Sequence, residues 1–301
     1  MAATHRPHRY PSRSRLAFAL LAALLVGTGG CLIAEEKPPE VNVRAGGATK
    51  FMHRGQVNVD RPVFQASGDG RVPVKTGGDI VFSGLATFKT TSSSGDAWFP
   101  DASSGEVNRL DIQAGYSHVF PLEDLAEGVG PIDITTGLTQ FVLSDGDDFP
   151  FGERDTTSEW FGEVGLGVLG FRPFASFHID LDEAEGYYIN LGVGRTFSLD
   201  SILEDLSLDV GVSAAASDGD MSEFNYGIDE SGWADARADA ELRYVYDRRT
   251  TFDLGLHGST ILDDDIRDQF DQNGIDEDNF WVTLGVTWRF GELPEEDESD
   301  G

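Results

Sequence analysis

Cysteine is nearly absent: Cys31 is the only one in 301 residues. An internal disulfide framework, a cysteine-based zinc site and an iron–sulfur cluster are therefore excluded. Positive charge is scarce, with 22 Lys+Arg against 53 Asp+Glu and a formal net charge of −31. Nucleic-acid binding needs a positive surface that displaces counterions from phosphates, so no nucleic-acid partner is expected. Long apolar runs are missing too. The longest, Leu16 to Val26, has 11 residues, whereas a membrane-crossing helix needs about 20. The chain carries no phosphate loop, dinucleotide fingerprint, His-Glu-x-x-His or Gly-x-Ser-x-Gly elbow, so no enzyme, cofactor or catalytic metal is expected. What is plentiful is glycine (36) and phenylalanine (20), and such aromatic content does not fit a disordered acidic chain.

Residues 1–15 hold Arg6, Arg9, Arg13 and Arg15 and no acid, then the apolar run, then Gly27-Thr28-Gly29-Gly30. A basic region, a short apolar core and small residues read as an export signal over residues 1–30. Cys31 after Thr28-Gly29-Gly30 loosely resembles a lipoprotein cleavage box, although Thr28 stands where that pattern has leucine. Lipidation of Cys31 and an unmodified Cys31 are both open. Removing residues 1–30 leaves 18 basic against 53 acidic residues, a formal charge of −35. Residues 31–40 read as a periplasmic N-terminal segment.

The rest of the chain alternates with a period of two. From Ala234 to Tyr246 one face is Ala234, Ala236, Ala238, Ala240, Leu242, Tyr244 and Tyr246; the other is Asp235, Arg237, Asp239, Glu241 and Arg243. A helix would scatter these residues around its axis, whereas a strand separates them cleanly. Phe280–Phe290, Leu206–Ser217 and Tyr187–Leu199 repeat the pattern, with Trp281 and Arg195 as breaches. About twelve strands follow, near 41–54, 62–69, 77–89, 107–120, 129–143, 156–169, 171–182, 185–199, 203–217, 232–246, 249–262 and 279–290. No linker or helical segment divides them, so residues 41–290 form one domain.

A soluble sandwich or barrel and a membrane barrel both fit this alternation. The connections choose between them. Those at 90–106, 144–155, 218–231 and 263–278 are long and acidic, while Gly170, 199–202 and Asp247-Arg248 are short turns. Long outer loops alternating with short inner turns mark a transmembrane barrel, apolar outside and polar inside. Aromatics near strand ends, such as Tyr116, Phe120, Tyr187, Phe197 and Trp288, suit interfacial girdles. The fold expected is all-β: a transmembrane antiparallel up-and-down β-barrel of about twelve strands, in contact with outer-membrane lipids.

The last strand resembles the C-terminal recognition signal of outer-membrane barrels, with Thr283, Gly285, Trp288 and Phe290 at its positions. That resemblance implies the barrel-assembly machinery as a partner. It departs in the acidic, Pro294-bearing tail 291–301, read as periplasmic. Thr49-Lys-Phe-Met-His-Arg-Gly-Gln56, Pro62-Val-Phe-Gln65 and Gly186-Tyr-Tyr-Ile-Asn-Leu-Gly192 carry a wider likeness over most of residues 45–290. On them the chain resembles the TorF-like porins, which implies an outer-membrane pore and transfers no catalytic residue.

The polar face supplies lumen candidates: Asp209, Asp235, Arg237, Asp239, Glu241, Arg243 and Asp253. Opposite charges across strands hold register; surplus carboxylates lining a pore favour cations. Arg237 and Arg243 have Asp209 and Asp253 on the neighbouring strands. Arg54 has the lumen and the lipid phosphates within reach. The loop clusters Asp145, Asp147, Asp148; Asp218, Asp220; Asp263, Asp264, Asp265; and Asp271, Asn273, Asp276, Asp278 read as solvated loops, with divalent cations as an alternative partner. Ser176, His178 and Asp180 share a strand face, but positions two apart lie roughly 6.5 Å from each other, too far for a direct nucleophile–base bond. The function expected is passage of small hydrophilic solutes or cations; the alternative is a non-conducting barrel acting through its acidic loops.

Overall fold

A computed structural model describes residues 38–75, 77–91, 104–105, 107–122, 128–143 and 156–291. The leader, Cys31, Asp145, Asp147, Asp148 and the tail beyond Gly291 lie outside the described residues. In chain order the elements are β1 (Glu40–Ala48), β2 (Phe51–His53), β3 (Gln56–Val59), β4 (Val63–Pro73), β5 (Asp79–Lys89), β6 (Val107–Phe120), β7 (Val129–Leu143), β8 (Thr157–Val168), β9 (Arg172–Asp180), β10 (Tyr187–Ser198), β11 (Leu206–Ser217), α1 (Gly219–Tyr226), β12 (Gly232–Val245), β13 (Thr250–Ile261), α2 (Asp264–Asn273) and β14 (Asp278–Phe290).

Strand β1 and strands β4 to β14 form a closed antiparallel barrel of twelve. Each strand pairs with its neighbour in sequence, and β1 closes the ring by pairing with both β4 and β14. Closure leaves no edge strand to aggregate. The twelve expected strands all form, and the one expected at 62–69 runs on to Pro73 as β4.

The barrel is inside out relative to a soluble protein. Its exterior carries Phe64, Leu191, Val212, Leu256 and Leu284, the last two 46% and 63% exposed. Its interior buries Thr87, Asn108, Arg109, Glu159 and Asp180. Water-soluble monomers rarely expose apolar patches beyond a few hundred Å², so a continuous apolar exterior calls for a lipid solvent. Leu284→Arg, at mid-strand, is expected to destabilise the barrel by about 2–4 kcal/mol in a bilayer, the cost of arginine at the midplane of a lipid face. Thr251→Arg, on the lumen face, should cost far less. Urea titration of vesicle-folded protein measures both; equal effects would contradict the assignment of faces.

Two expectations are corrected. The strand expected over 41–54 ends at Ala48, and the stretch between it and the strand expected at 62–69 is not a simple loop. Thr49 still bonds Val282, N to O at 3.0 Å and Oγ1 from the Val282 N–H at 3.1 Å; the chain then turns inward as the β2–β3 hairpin. Second, the connections 218–231 and 263–278 contain helices. The Asp218 carboxylate accepts from the Met221 N–H and caps α1; Asp263 accepts from the Asp265 and Ile266 N–H groups and caps α2. Helices of two to three turns are too short to stand out by periodicity. Part of the acidity read as solvated loop is thus helix capping, where carboxylates oppose the positive end of the dipole.

Candidate functional site: the lumen and its hairpin

The hairpin turns through Arg54 and Gly55, with His53 paired to Gln56. Their φ angles are +48° and +76°, and a two-residue turn of type I′ needs positive φ at both positions. Gly55 is required twice over, because a Cβ there would lie 2.6 Å from Cβ of Asp235. Gly55→Val is therefore expected to unseat the hairpin. Arg54, buried in the native chain, should become a trypsin site in the variant; resistance equal to wild type would contradict this.

The hairpin leaves the wall at β1 and ends against the opposite wall, since β9 lies across the ring from β1. There Arg54 Nη2 bonds both oxygens of Glu159 on β8, at 2.6 and 2.5 Å. The two side chains are 6% and 1% exposed. The guanidinium also stacks 4.7 Å over the Tyr188 ring on β10. Tyr188 Oη donates to Asp235 Oδ2 at 2.8 Å. Tyr226 Oη, from α1, lies 3.0 Å from the Arg54 carbonyl and 3.3 Å from the same Asp235 oxygen. Burial, then the Asp235 charge, push the Tyr226 hydroxyl well above the ordinary tyrosine range, so it stays a donor. The Gln56 amide donates to the Asn225 carbonyl of α1. Along the hairpin's flank His53 meets Phe141 edge-on at 5.8 Å, and Arg109 stacks 4.4 Å over Phe141 and lies 5.8 Å from Phe51 at the root. Above, Tyr226, Ala234, Ile261, Ile266 and Phe270 form an apolar cluster between the helices and the wall.

Below the hairpin the bore is polar, with cavities of about 740 and 620 Å³. Arg243 bonds Glu241 at 2.8 Å and reaches Asp209 at 3.3 Å. Asp209 and Glu241 stand directly opposite in register, so Arg243 relieves a like-charge pair. Arg237 bonds Asp239 of its own strand at 3.0 Å, not Asp209 or Asp253. Asp239 also bonds His257 Nδ1 at 2.5 Å, and His257 Nε2 bonds Thr283 Oγ1 at 2.9 Å. His257 stacks on Trp281 at 5.1 Å, so the breach at Trp281 is a lumen aromatic. Asp253 opposes Arg243 in register, yet its carboxylate is taken by Arg44 of β1. Gly285 explains this: it lies between them on β14, and a Cβ there would lie 2.7 Å from Arg44 Nε.

All seven lumen candidates thus face the bore, but at two levels. Asp235 is buried under the hairpin tip; Arg237, Glu241, Arg243 and Asp253 line the cavity of about 740 Å³, while Asp209 and Asp239 stand beside them, held by Arg243 and Arg237. Among the four positions of the terminal signal, Thr283 and Gly285 face the lumen, and Trp288 and Phe290 are exposed outside. Ser176, His178 and Asp180 do not assemble: His178 turns to Glu159, while Asp180 accepts from Thr157 Oγ1 at 2.5 Å and from two loop N–H groups at 2.9 Å. No group of ligands that could hold a metal ion occurs among the described residues. The sequence reading missed Arg44, Glu159, Tyr188 and Tyr226. Arg44 and Glu159 lie on the polar side of alternating strands, so they were available as lumen residues; their partners were not.

A closed antiparallel barrel of twelve strands, apolar outside and charged inside, is a transmembrane β-barrel by architecture. No protein-family model matches the chain, and no curated protein matches it. Among solved structures it is similar to the KdgM porin, at 10% identity and TM-score 0.44, over 83% of this chain and 99% of that one. It is similar to an outer membrane channel from Pseudomonas putida F1, at 13% identity and TM-score 0.47, over 87% and 98%. It is also similar to outer membrane phospholipase A from Escherichia coli, at 10% identity and TM-score 0.43, over 83% and 92%.

Proposed function

We propose that the protein is an outer-membrane channel of the porin type that passes small hydrophilic solutes, cations before anions, and that the β2–β3 hairpin narrows its outer mouth. The observation that carries this reading is the charged, hollow bore. On β11, β12 and β13 four carboxylates (Asp209, Asp239, Glu241 and Asp253) meet three guanidinium groups, Arg237 and Arg243 of β12 and Arg44 of β1. Surplus carboxylate along one side of a narrow bore attracts cations and repels anions. The export signal, the terminal-strand signal and the TorF-like resemblance of residues 45–290 support the outer membrane as the compartment, and the terminal strand supports delivery by the barrel-assembly machinery.

A second reading rests on the hairpin itself. Its contacts with the far wall favour a barrel that is shut in the resting state and works through its acidic outer surface. One experiment separates the two: single-channel recording of the refolded mature protein in a planar bilayer under a KCl gradient. Discrete steps with a cation-selective reversal potential are expected. Silence from protein shown to be folded and inserted would overturn the channel and leave the closed barrel.

A further inference from the structure

The exterior of β10 runs Tyr187, Ile189, Leu191, Val193, Arg195, Phe197. Among the described residues Arg195 is the one lysine or arginine that a strand places on the apolar exterior; Arg44, Arg109, Arg172, Arg237, Arg243 and Arg289 all take the lumen face and pair there with carboxylates. Arg195 makes no salt bridge among the described residues. Its guanidinium is instead held between two rings, 4.7 Å from the Phe171 centroid and 4.8 Å from that of Phe197. Both rings are exposed on the outside, at 45% and 40%.

The wall has a notch at this place. Strand β9 begins at Arg172, paired with Gly194, so β10 runs on from Arg195 to Ser198 with no partner on that side. The tight turn Leu169–Gly170, bridged by Val168 and Phe171, sits low beside it. A cavity of about 810 Å³ opens there and joins the bore, lined by Phe171 and Arg195 from the exterior and by Arg172, Thr196, Asp209 and Arg243 from the lumen face. The notch lies at the short-turn rim, three residues from the end of β10, which in a barrel of this kind is the depth of the phospholipid headgroups on the periplasmic side.

A charge on a lipid-facing wall is costly unless it reaches the interface and finds a counter-charge. Stacking fixes the plane of the guanidinium and leaves its edge N–H groups free to donate. Resting on the membrane reading above, we propose that Arg195, clamped by Phe171 and Phe197, is a binding site for the phosphodiester of a phospholipid. The guanidinium takes the phosphate oxygens in the notch, and the acyl chains lie along the apolar exterior.

The test is native mass spectrometry of the full mature chain, folded in detergent and titrated with phosphatidylglycerol, with diacylglycerol of the same chains, or with inorganic phosphate. Folding is checked by heat-dependent gel migration. Wild type is expected to retain phosphatidylglycerol over diacylglycerol, and Arg195→Gln to lower that preference about fivefold, the effect of one basic group near an anionic surface. Arg195→Lys keeps the charge without the planar stack and should fall between them; Phe197→Leu should weaken retention as well. If Arg195→Gln fails to fold, Arg195→Lys and Phe197→Leu carry the comparison, and wild-type retention by both overturns the site. Equal retention of both lipids by wild type would reduce it to acyl-chain packing and overturn it. Displacement of lipid by an equal concentration of inorganic phosphate would assign it to the free anion and overturn the lipid. A wild-type chain that stays out of bilayers overturns the channel and this site together. A chain that inserts and conducts, but retains lipid no better than Arg195→Gln, overturns this site alone.

Discussion

Arg54→Ala is expected to raise single-channel conductance several-fold and to lower the thermal stability of the barrel. The Arg54–Glu159 pair is almost fully buried, and removing one partner leaves the other as an uncompensated charge. Breaking such a pair costs about 3–5 kcal/mol. The stack on Tyr188 and the contact with the α1 hydroxyl at Tyr226 are lost or loosened in the same step. The hairpin is then held by the Gln56 bond to the Asn225 carbonyl and by its root near Phe51 and Phe141. Glu159→Gln should have the same sign, because Arg54 is then left without its counter-charge. The double variant Arg54→Ala, Glu159→Gln removes both charges and should recover stability relative to either single change, while conductance stays high. Thermal denaturation of the folded protein and planar-bilayer recording read the two effects separately. Wild-type conductance in Arg54→Ala would show that the hairpin does not limit the bore.

The second large effect is on selectivity. Replacing Asp239, Glu241 and Asp253 together by Asn, Gln and Asn should move the reversal potential under a KCl gradient toward zero or past it. Asp239 and Glu241 neutralise Arg237 and Arg243 of their own strand, and Asp253 neutralises Arg44 over β14. Removing them takes away three negative charges and also releases three guanidinium groups into the same water-filled section, so the local potential changes sign instead of fading. Asp253→Asn alone should give much of the change near β1, because Arg44 has crossed β14 to reach that one carboxylate. Asp235→Asn should act differently. Its carboxylate lies above the bore and holds the Tyr188 and Tyr226 hydroxyls, so it should loosen the hairpin more than it alters ion preference. An unchanged reversal potential in the triple variant would overturn the assignment of these residues to selectivity.

The strand array was legible because a wall with lipid on one face and water on the other writes itself as a period of two. Ala234 to Tyr246 and Phe280 to Phe290 could hardly be read otherwise, and the order of long and short connections placed the apolar face outside. The lumen side of Asp209, Asp239, Glu241 and Asp253 followed from the same alternation. Even the breaches carried information: Trp281 faces inward onto His257, and Arg195 faces outward between two phenylalanines.

Pairing within the lumen was not legible, because side chains long enough to cross a strand choose partners by the space left to them. Arg44 takes Asp253 since Gly285 leaves a gap, and Arg237 takes Asp239 of its own strand. The two loop helices escaped notice because a few capped turns owe their form to burial of Met221, Tyr226, Ile266 and Phe270 against neighbours distant in sequence. The sequence alone determined an array of about twelve strands, apolar on one face and polar on the other, since that alternation is local and repeated along every strand; closure of the ring is the pairing of β1 with β14, which only the tertiary structure makes. Whether residues 51–59 continue as an outer loop or fold back across the bore was decided only by the tertiary structure. Glu159, Tyr188, Tyr226 and Asp235 come from three strands and a helix, and the pocket that receives Arg54 exists only once the ring has closed.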